Sequence, residues 1–172
     1  IMEYKHWSRM GEHARIFEPV TLGFPSRDNM TKKDYAGTTI GKNAVIRSGT
    51  ILYCDVVIGD DFQTGHNVMI REKTTIGDRV AVGTGTVIEG YTVIGSDISI
   101  QSMVFIPTDT QVGDHVFIGP NAVLTNDRYP PTRIGGVKSC CWTRGGSWGC
   151  RRGPRLNWPG CSTPTRTPHP AG

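Results

Sequence analysis

The histidine at position 66 is the residue whose type and setting best suit catalysis. It stands in the segment Thr64-Gly65-His66-Asn67-Val68. An imidazole titrates near neutral pH, so it can take a proton from an amine or hydroxyl group as that group attacks an electrophile. We therefore predict that His66 is a general base. The alternative interpretation is an ordinary surface histidine beside a turn.

Two amide side chains could contact a substrate near this base. Asn67 follows the histidine directly, and Gln101 interrupts a column of glycines at eighteen-residue spacing, Gly65 and Gly83. Amides both donate and accept hydrogen bonds, which suits the recognition of a polar small molecule. Both residues also have a structural alternative. Asn tolerates the left-handed backbone of a tight corner, and Gln101 can simply fill space that glycine leaves open.

The other histidines and the cysteines give little support to a metal site, and we expect no metal. Within residues 40–129 the only histidines are His66 and His115, and His115 follows Asp97 by eighteen residues, which predicts an exposed charge pair. Four cysteines near the C-terminal end lack the Cys-x-x-Cys pairs of structural zinc sites. They are Cys140, Cys141, Cys150 and Cys161.

The elements that position these side chains can be predicted from a six-residue period between positions 40 and 129. Fifteen consecutive positions at this spacing hold fourteen aliphatic residues and one polar residue, Thr64. The period matches neither an α-helix nor a simple alternation, and it is typical of a repeat solenoid. We call these positions anchors: Ile40, Ile46, Leu52, Ile58, Thr64, Ile70, Ile76, Val82, Ile88, Ile94, Ile100, Ile106, Val112, Ile118 and Leu124.

Turn-forming residues recur at fixed distances from the anchors. Glycine often follows an anchor directly, and ten of the fifteen positions three residues after an anchor hold Asn, Asp or Gly. These types best tolerate a left-handed backbone. Three units of six residues close one coil, so residues 40–129 predict five coils of a parallel β-helix. Each anchor would stack on the anchor eighteen residues later, at a spacing of about 4.8 Å.

The segments on either side of the repeat break the period. We interpret residues 1–39 as an irregular N-terminal coil and a polar loop, which cap the open edge of the solenoid. Residues 130–172 hold four of the five cysteines and no anchor period. We interpret this tail as frameshifted or disordered, because back-translation of residues 139–143 in another frame gives repeat-like sequence.

Charge and hydropathy argue against nucleic-acid and membrane partners. From position 137 onward there are six basic and no acidic residues, whereas the first 136 residues hold thirteen basic and fifteen acidic ones. The net charge of +4 therefore belongs to the tail, and it forms no basic patch on the repeat. The sequence has no apolar run of eighteen residues and no signal-peptide pattern, which predicts a cytoplasmic protein.

The repeat units resemble those of the hexapeptide-repeat acyltransferases. The similarity rests on the segments IGKNAV, IGDDFQ, TGHNVM, IGDRVA, IGSDIS and VGDHVF, and the stretch from Gly65 to Pro131 is most similar to sugar-nucleotide N-acetyltransferases. The resemblance implies a left-handed β-helix, a homotrimer, and acetyl-CoA held between neighbouring prisms. It also implies that Asn126 and Asp127 contact the acceptor, with a capped turn as their alternative. Some of these enzymes follow the catalytic histidine with an acid, where this chain has Asn67.

The resemblance and the residues together predict an acetyl-CoA-dependent acetyltransferase. Its acceptor would be a small amino sugar, nucleotide-linked, or else another small amine or a sugar hydroxyl, so that transfer to nitrogen or to oxygen stays open. Its general base would lie at a subunit interface. Two alternatives remain. One is a non-catalytic trimeric β-helix. The other is a metalloenzyme like the γ-type carbonic anhydrases, which needs three histidines converging on zinc.

Overall fold

The computed structural model describes residues 8–32 and 34–126, together with the backbone of 141–143 and 147–149. Up to Asn126 the chain winds through seventeen strands, β1 to β17, most of them only two residues long. Consecutive strands belong to different sheets, and each strand pairs in parallel with the strand one coil later. The predicted left-handed parallel β-helix is confirmed, with one irregular coil before the regular ones.

Three sheets form the faces of the solenoid. The first holds β1 (Arg9–Met10), β4 (Thr39–Ile40), β7 (Val57–Ile58), β10 (Thr75–Ile76), β13 (Val93–Ile94) and β16 (Gln111–Val112). The second holds β2 (Arg15–Ile16), β5 (Val45–Ile46), β8 (Gln63–Thr64), β11 (Ala81–Val82), β14 (Ser99–Ile100) and β17 (Phe117–Ile118). The third holds β3 (Thr21–Phe24), β6 (Ile51–Tyr53), β9 (Met69–Ile70), β12 (Val87–Ile88) and β15 (Phe105–Ile106), and a bridge from Phe105 to Val123 extends it.

The anchors form the core, one above another. Ile40 is in register with Ile58, Ile58 with Ile76, and Ile76 with Ile94. The twelve anchors from Ile40 to Ile106 are at most 2% exposed. Burial of each aliphatic side chain contributes roughly 1.5–3 kcal/mol, so the stacked anchors stabilise a fold whose strands are too short to be stable alone.

The one polar anchor, Thr64, has a structural explanation. Its side chain is buried, and its hydroxyl accepts a hydrogen bond of 3.0 Å from the backbone N–H of Arg47. The same hydroxyl lies 3.5 Å from Thr50 Oγ1. A buried hydroxyl is tolerated when it is hydrogen-bonded, so Thr64 keeps the core intact.

Every corner of the regular coils turns through a left-handed residue. All fourteen residues that lie three positions after an anchor, from Asn43 to Asn121, have φ between 54° and 78°. Residue types that rarely adopt this conformation are among them: Lys73, Arg79, Tyr91, Met103 and His115. The geometry of the coil therefore imposes this backbone even where the side chain does not favour it.

Glycines that follow anchors allow close contact between coils at the corner between the first and second sheets. A Cβ atom added at Gly59 would lie 2.2 Å from Asp78 Oδ1 and 2.8 Å from the backbone of Gly77. This close approach lets side chains accept hydrogen bonds from backbone N–H groups of the preceding coil. The Asp78 carboxylate accepts one of 2.8 Å from the N–H of Asp60, and the Asp114 carboxylate accepts one of 2.7 Å from the N–H of Ser96.

The loop of residues 25–38 leaves the irregular coil between β3 and β4. It contains a short 3₁₀ helix, Arg27–Asn29. The buried thiol of Cys54 holds the loop against the first regular coil, because its Sγ accepts hydrogen bonds from Ser26 N at 3.3 Å and Asn29 Nδ2 at 3.4 Å. Cys54 therefore has a packing role here.

The chain divides into two units, Ile1–Asn126 and Asp127–Gly172. In the second unit, β18 (Cys141–Thr143) pairs antiparallel with β19 (Ser147–Gly149). The interpretation of the tail as frameshifted or disordered falls largely outside the described residues and stays a prediction. Within the described part of the chain, no helix is long and apolar enough to cross a membrane.

The buried anchors predict a large difference between core and surface truncations. Ile88 is fully buried in β12, whereas Val93 at the outer side of β13 is 49% exposed. We expect Ile88→Ala to lower the free energy of unfolding by about 2–5 kcal/mol, and Val93→Ala by less than about 1 kcal/mol. Urea denaturation followed by circular dichroism measures both. Equal losses would show that the anchor column is not the core.

Candidate active site

His66 lies at the corner between the second and third sheets. We call this the His66 corner, which comprises the stacked turns 47–50, 65–68, 83–86, 101–104 and 119–122. The histidine is exposed, between the buried residues Thr64 and Val68. The strands on either side fix its backbone, so the imidazole projects from the edge of the solenoid.

The residues directly before and after His66 in the stack hold it in place. Ser48 Oγ lies 2.9 Å from His66 Nδ1. The backbone N–H of His66 donates a hydrogen bond of 3.2 Å to Thr84 Oγ1, and its carbonyl accepts one of 2.8 Å from Gly85 N. Among the described residues, Nε2 has no hydrogen-bond partner. One ring nitrogen is therefore held and the other faces solvent.

Arg47 is a residue at this corner that the sequence analysis missed. It lies one coil before Gly65, and its guanidinium Nη1 donates a hydrogen bond to the carbonyl of Thr64. In residues 8–32 and 34–126 no carboxylate forms an ion pair with it. The eighteen-residue spacing between Arg47 and Gly65 is the signal that could have placed this cation beside the His66 segment.

The two other arginines in the described part of the regular coils are paired with carboxylates. Arg71 Nη1 lies 2.8 Å from Glu89 Oε2 and Nη2 lies 3.0 Å from Glu72 Oε1. Arg79 Nε lies 2.6 Å from Asp97 Oδ1. Arg47 differs from both because no carboxylate of the described residues pairs with it, and a free guanidinium suits an anionic ligand.

Asn67 occupies the left-handed position of the turn, with φ of 55°. Its side chain lies over Gly49 in the coil before, because a Cβ atom at Gly49 would be only 1.9 Å from Asn67 Oδ1. Its backbone N–H donates to the carbonyl of Ser48 at 3.0 Å. These contacts give Asn67 a role in the corner, and its predicted contact with a substrate stays a prediction.

Gln101 belongs to the His66 corner, two coils after Gly65. Its Nε2 donates a hydrogen bond of 2.9 Å to Ser99 Oγ, and its backbone carbonyl accepts one of 3.0 Å from Thr86 Oγ1. The amide therefore lies against the end of β14. Its predicted role in substrate binding remains a prediction.

Asn126 lies at a different corner, the one between the third and first sheets. Its Nδ2 donates a hydrogen bond of 2.7 Å to the carbonyl of Thr108. It stands more than three coil steps beyond His66, at about 4.8 Å a step, so one chain does not bring the two side chains together. Asp127 lies outside the described residues. Both remain predicted acceptor contacts.

The expected contact between His115 and Asp97 is present at the corner between the first and second sheets. His115 Nδ1 lies 3.7 Å from Asp97 Oδ2, and Arg79 donates to both carboxylate oxygens, at 2.6 Å and 3.0 Å. The hydrogen bond from Arg79 lowers the pKa of the Asp97 carboxyl below its ordinary value. Among the residues that the structure describes, no three His, Cys, Asp or Glu side chains are grouped so as to hold a metal ion.

The repeat that carries His66 matches a known family. Residues 55–90, from the corner before β7 to the corner after β12, match the family described as bacterial transferase hexapeptide, six repeats. Residues 55–90 are therefore hexapeptide repeats of that family's type. The matched segment includes Thr64, Gly65 and His66, so the candidate base lies within the part of the chain that the family covers.

Two solved structures are similar to this chain. LpxA from Bacteroides fragilis 9343, a UDP-N-acetylglucosamine acyltransferase, matches with a TM-score of 0.65 and 22% identity over 77% of this chain and 56% of LpxA. A perosamine N-acetyltransferase variant from Caulobacter crescentus, in complex with CoA and GDP-perosamine, matches with a TM-score of 0.45 and 20% identity over 66% of this chain and 51% of that chain.

This chain spans only 56% of LpxA and 51% of the perosamine N-acetyltransferase. At 22% identity the likeness to LpxA shows the fold alone. No curated protein sequence matches this chain.

Proposed function

We propose that this protein is an acetyl-CoA-dependent acetyltransferase that acts on a small, nucleotide-linked amino sugar. One observation carries the proposal: an exposed histidine projects from a corner of a transferase-type solenoid, with Nδ1 held by Ser48 at 2.9 Å. Nε2 has no partner in the described coils. An imidazole held in this way suits general-base catalysis.

The reaction needs one proton acceptor. The amine of the acceptor sugar attacks the carbonyl carbon of the acetyl thioester, and Nε2 of His66 takes a proton from the amine. The new C–N bond forms as the C–S bond breaks. The proton then passes to the sulfur of the leaving thiolate, which gives the acetylated sugar and free CoA. A positioned base of this kind contributes about 10²–10⁴-fold to the rate.

Arg47 supports an anionic acceptor. Its guanidinium is tied to the carbonyl of Thr64, which limits the side-chain entropy that binding would cost. A guanidinium forms charge-assisted, bidentate hydrogen bonds with phosphate oxygens. A diphosphate-linked sugar that places its amine near His66 would have such oxygens within the same corner.

The outer face of the third sheet supports a homotrimer. The outward side chain directly before each anchor of this sheet, and before Leu124 after the bridge, is apolar: Ile51, Met69, Val87, Phe105 and Val123. The first and second sheets mix polar and apolar residues at the equivalent positions. Val123 is 67% exposed and Phe105 is 37% exposed. Contiguous apolar faces of this kind mark protein–protein contacts, and a copy covering this sheet would border the His66 corner.

Removal of the His66 imidazole should slow acetyl transfer strongly. We expect His66→Ala to lower kcat by about 10²–10⁴-fold, measured as thiol release from acetyl-CoA with UDP-, GDP- and dTDP-linked amino sugars. His115→Ala removes another exposed corner histidine, with φ of 58°, and should keep full activity. A kcat that His66→Ala leaves unchanged would contradict the assignment of the base. No transfer by the unaltered protein with any of these acceptors would favour a non-catalytic solenoid.

Loss of the Arg47 charge should weaken binding of the nucleotide-linked acceptor. We expect Arg47→Gln to raise KM for that acceptor by about tenfold or more, because a hydrogen bond to a charged group contributes about 1.5–3 kcal/mol. The value of kcat should change little. Arg79→Gln, whose arginine is paired with Asp97, is the matched control. An equal rise in KM for the free amino sugar would show that Arg47 does not contact the phosphates.

A charge on the apolar face should dissociate the trimer. Phe105 and Phe117 both lie on the outer side of a strand, but on the third and second sheets respectively. We expect Phe105→Glu to give a monomer in light scattering, because a carboxylate would be buried without a partner. Phe117→Glu should remain trimeric. Dissociation by Phe117→Glu alone would place the interface on the second sheet.

A further inference from the structure

Two stacked residues with polar side chains flank the candidate base. Ser48, His66 and Thr84 occupy the same position in three successive coils, eighteen residues apart. The hydroxyl of Ser48 meets the imidazole at Nδ1, at 2.9 Å, and the hydroxyl of Thr84 accepts the backbone N–H of His66 at 3.2 Å. The histidine is therefore held both at its ring and at its backbone.

The residue after the histidine does not orient the ring in this structure. Asn67 turns its amide toward the coil before, where Oδ1 lies 1.9 Å from the place that a Cβ atom of Gly49 would take. No hydrogen bond joins Asn67 to the imidazole among the described residues. The only side chain in that part of the chain that contacts a ring nitrogen of His66 is Ser48.

We propose that Ser48 is a positioning residue that sets the tautomer of His66. A serine hydroxyl can donate or accept a hydrogen bond. In this assignment Ser48 Oγ, 2.9 Å away, accepts the N–H at Nδ1, which leaves the lone pair of Nε2 as the base. Only the role of His66 as a base rests on the proposed function. The tautomer and its dependence on Ser48 are properties of the free protein.

A hydroxyl at this place serves both protonation states of the ring. Nδ1 carries a proton before Nε2 takes the second proton, and it carries the same proton afterwards. Ser48 Oγ can therefore accept this hydrogen bond throughout the reaction without rotating. Without Ser48 the imidazole is free to carry its single proton on Nε2, which removes the base, or to turn away from the acceptor.

The tautomer can be read directly in the absence of any substrate. We expect ¹⁵N shifts of the His66 ring, assigned by their loss in His66→Ala, to show the proton on Nδ1 in the neutral unaltered protein. Ser48→Ala should shift the ring toward the Nε2–H tautomer, and Ser48→Thr should restore the original pattern. Ser96→Ala removes a hydroxyl that accepts a backbone N–H of the coil before at 3.1 Å, and it should leave the His66 shifts unchanged.

The same variants separate positioning from binding in the transfer assay. We expect Ser48→Ala to lower kcat about three- to tenfold, as one neutral hydrogen bond contributes about 1 kcal/mol, with KM for both substrates unchanged. Ser48→Thr should recover most of the loss.

Two results would overturn the assignment of Ser48. One is a proton on Nε2 in the unaltered protein, and the other is a tautomer that Ser48→Ala leaves unchanged. If no variant transfers acetyl groups but the ¹⁵N shifts respond to Ser48, the positioning contact stands and the proposed function fails. If transfer is normal and the shifts do not respond, the function stands and Ser48 has no such role.

Discussion

The hydrogen-bond register between coils determines almost everything else in this protein. Backbone groups one coil apart pair at the same interval along the chain, as in the bond from Val57 N to Thr74 O at 2.9 Å and from Val93 N to Thr110 O at 2.9 Å. Each residue therefore lies above its equivalent eighteen positions away. Because three turns must fit into that interval, each turn closes through a residue with positive φ, whatever its type.

The fold could be predicted from the sequence because its dominant signal is a period. The anchor spacing predicted the three sheets and the core. Residue preference alone did less well, since Tyr91 and Met103 also adopt the left-handed conformation that Asn, Asp and Gly favour. Thr64 at an anchor position could not be explained in advance, because its hydroxyl depends on a backbone N–H in the preceding coil.

The candidate site could be predicted only in part. The period places His66, Asn67 and Gln101 at one corner, and the same arithmetic would have separated Asn126 from them. Side-chain direction was not predictable. That Asn67 lies over Gly49 and that Gln101 bonds to Ser99 depend on local packing. Arg47 was missed because it neighbours the His66 segment through the stacking of two coils and not along the chain.

The stacking of Ser48, His66 and Thr84 makes the site more sensitive to length changes than the solenoid itself. An inserted or deleted stretch of eighteen residues keeps every sheet in register, so the solenoid can lengthen or shorten by whole coils during evolution. The same insertion or deletion between Ser48 and Thr84 would change the residue that stacks directly before or after His66. Descendants of such a duplication would share the scaffold while differing in what surrounds the histidine, and a common backbone would then say little about shared chemistry.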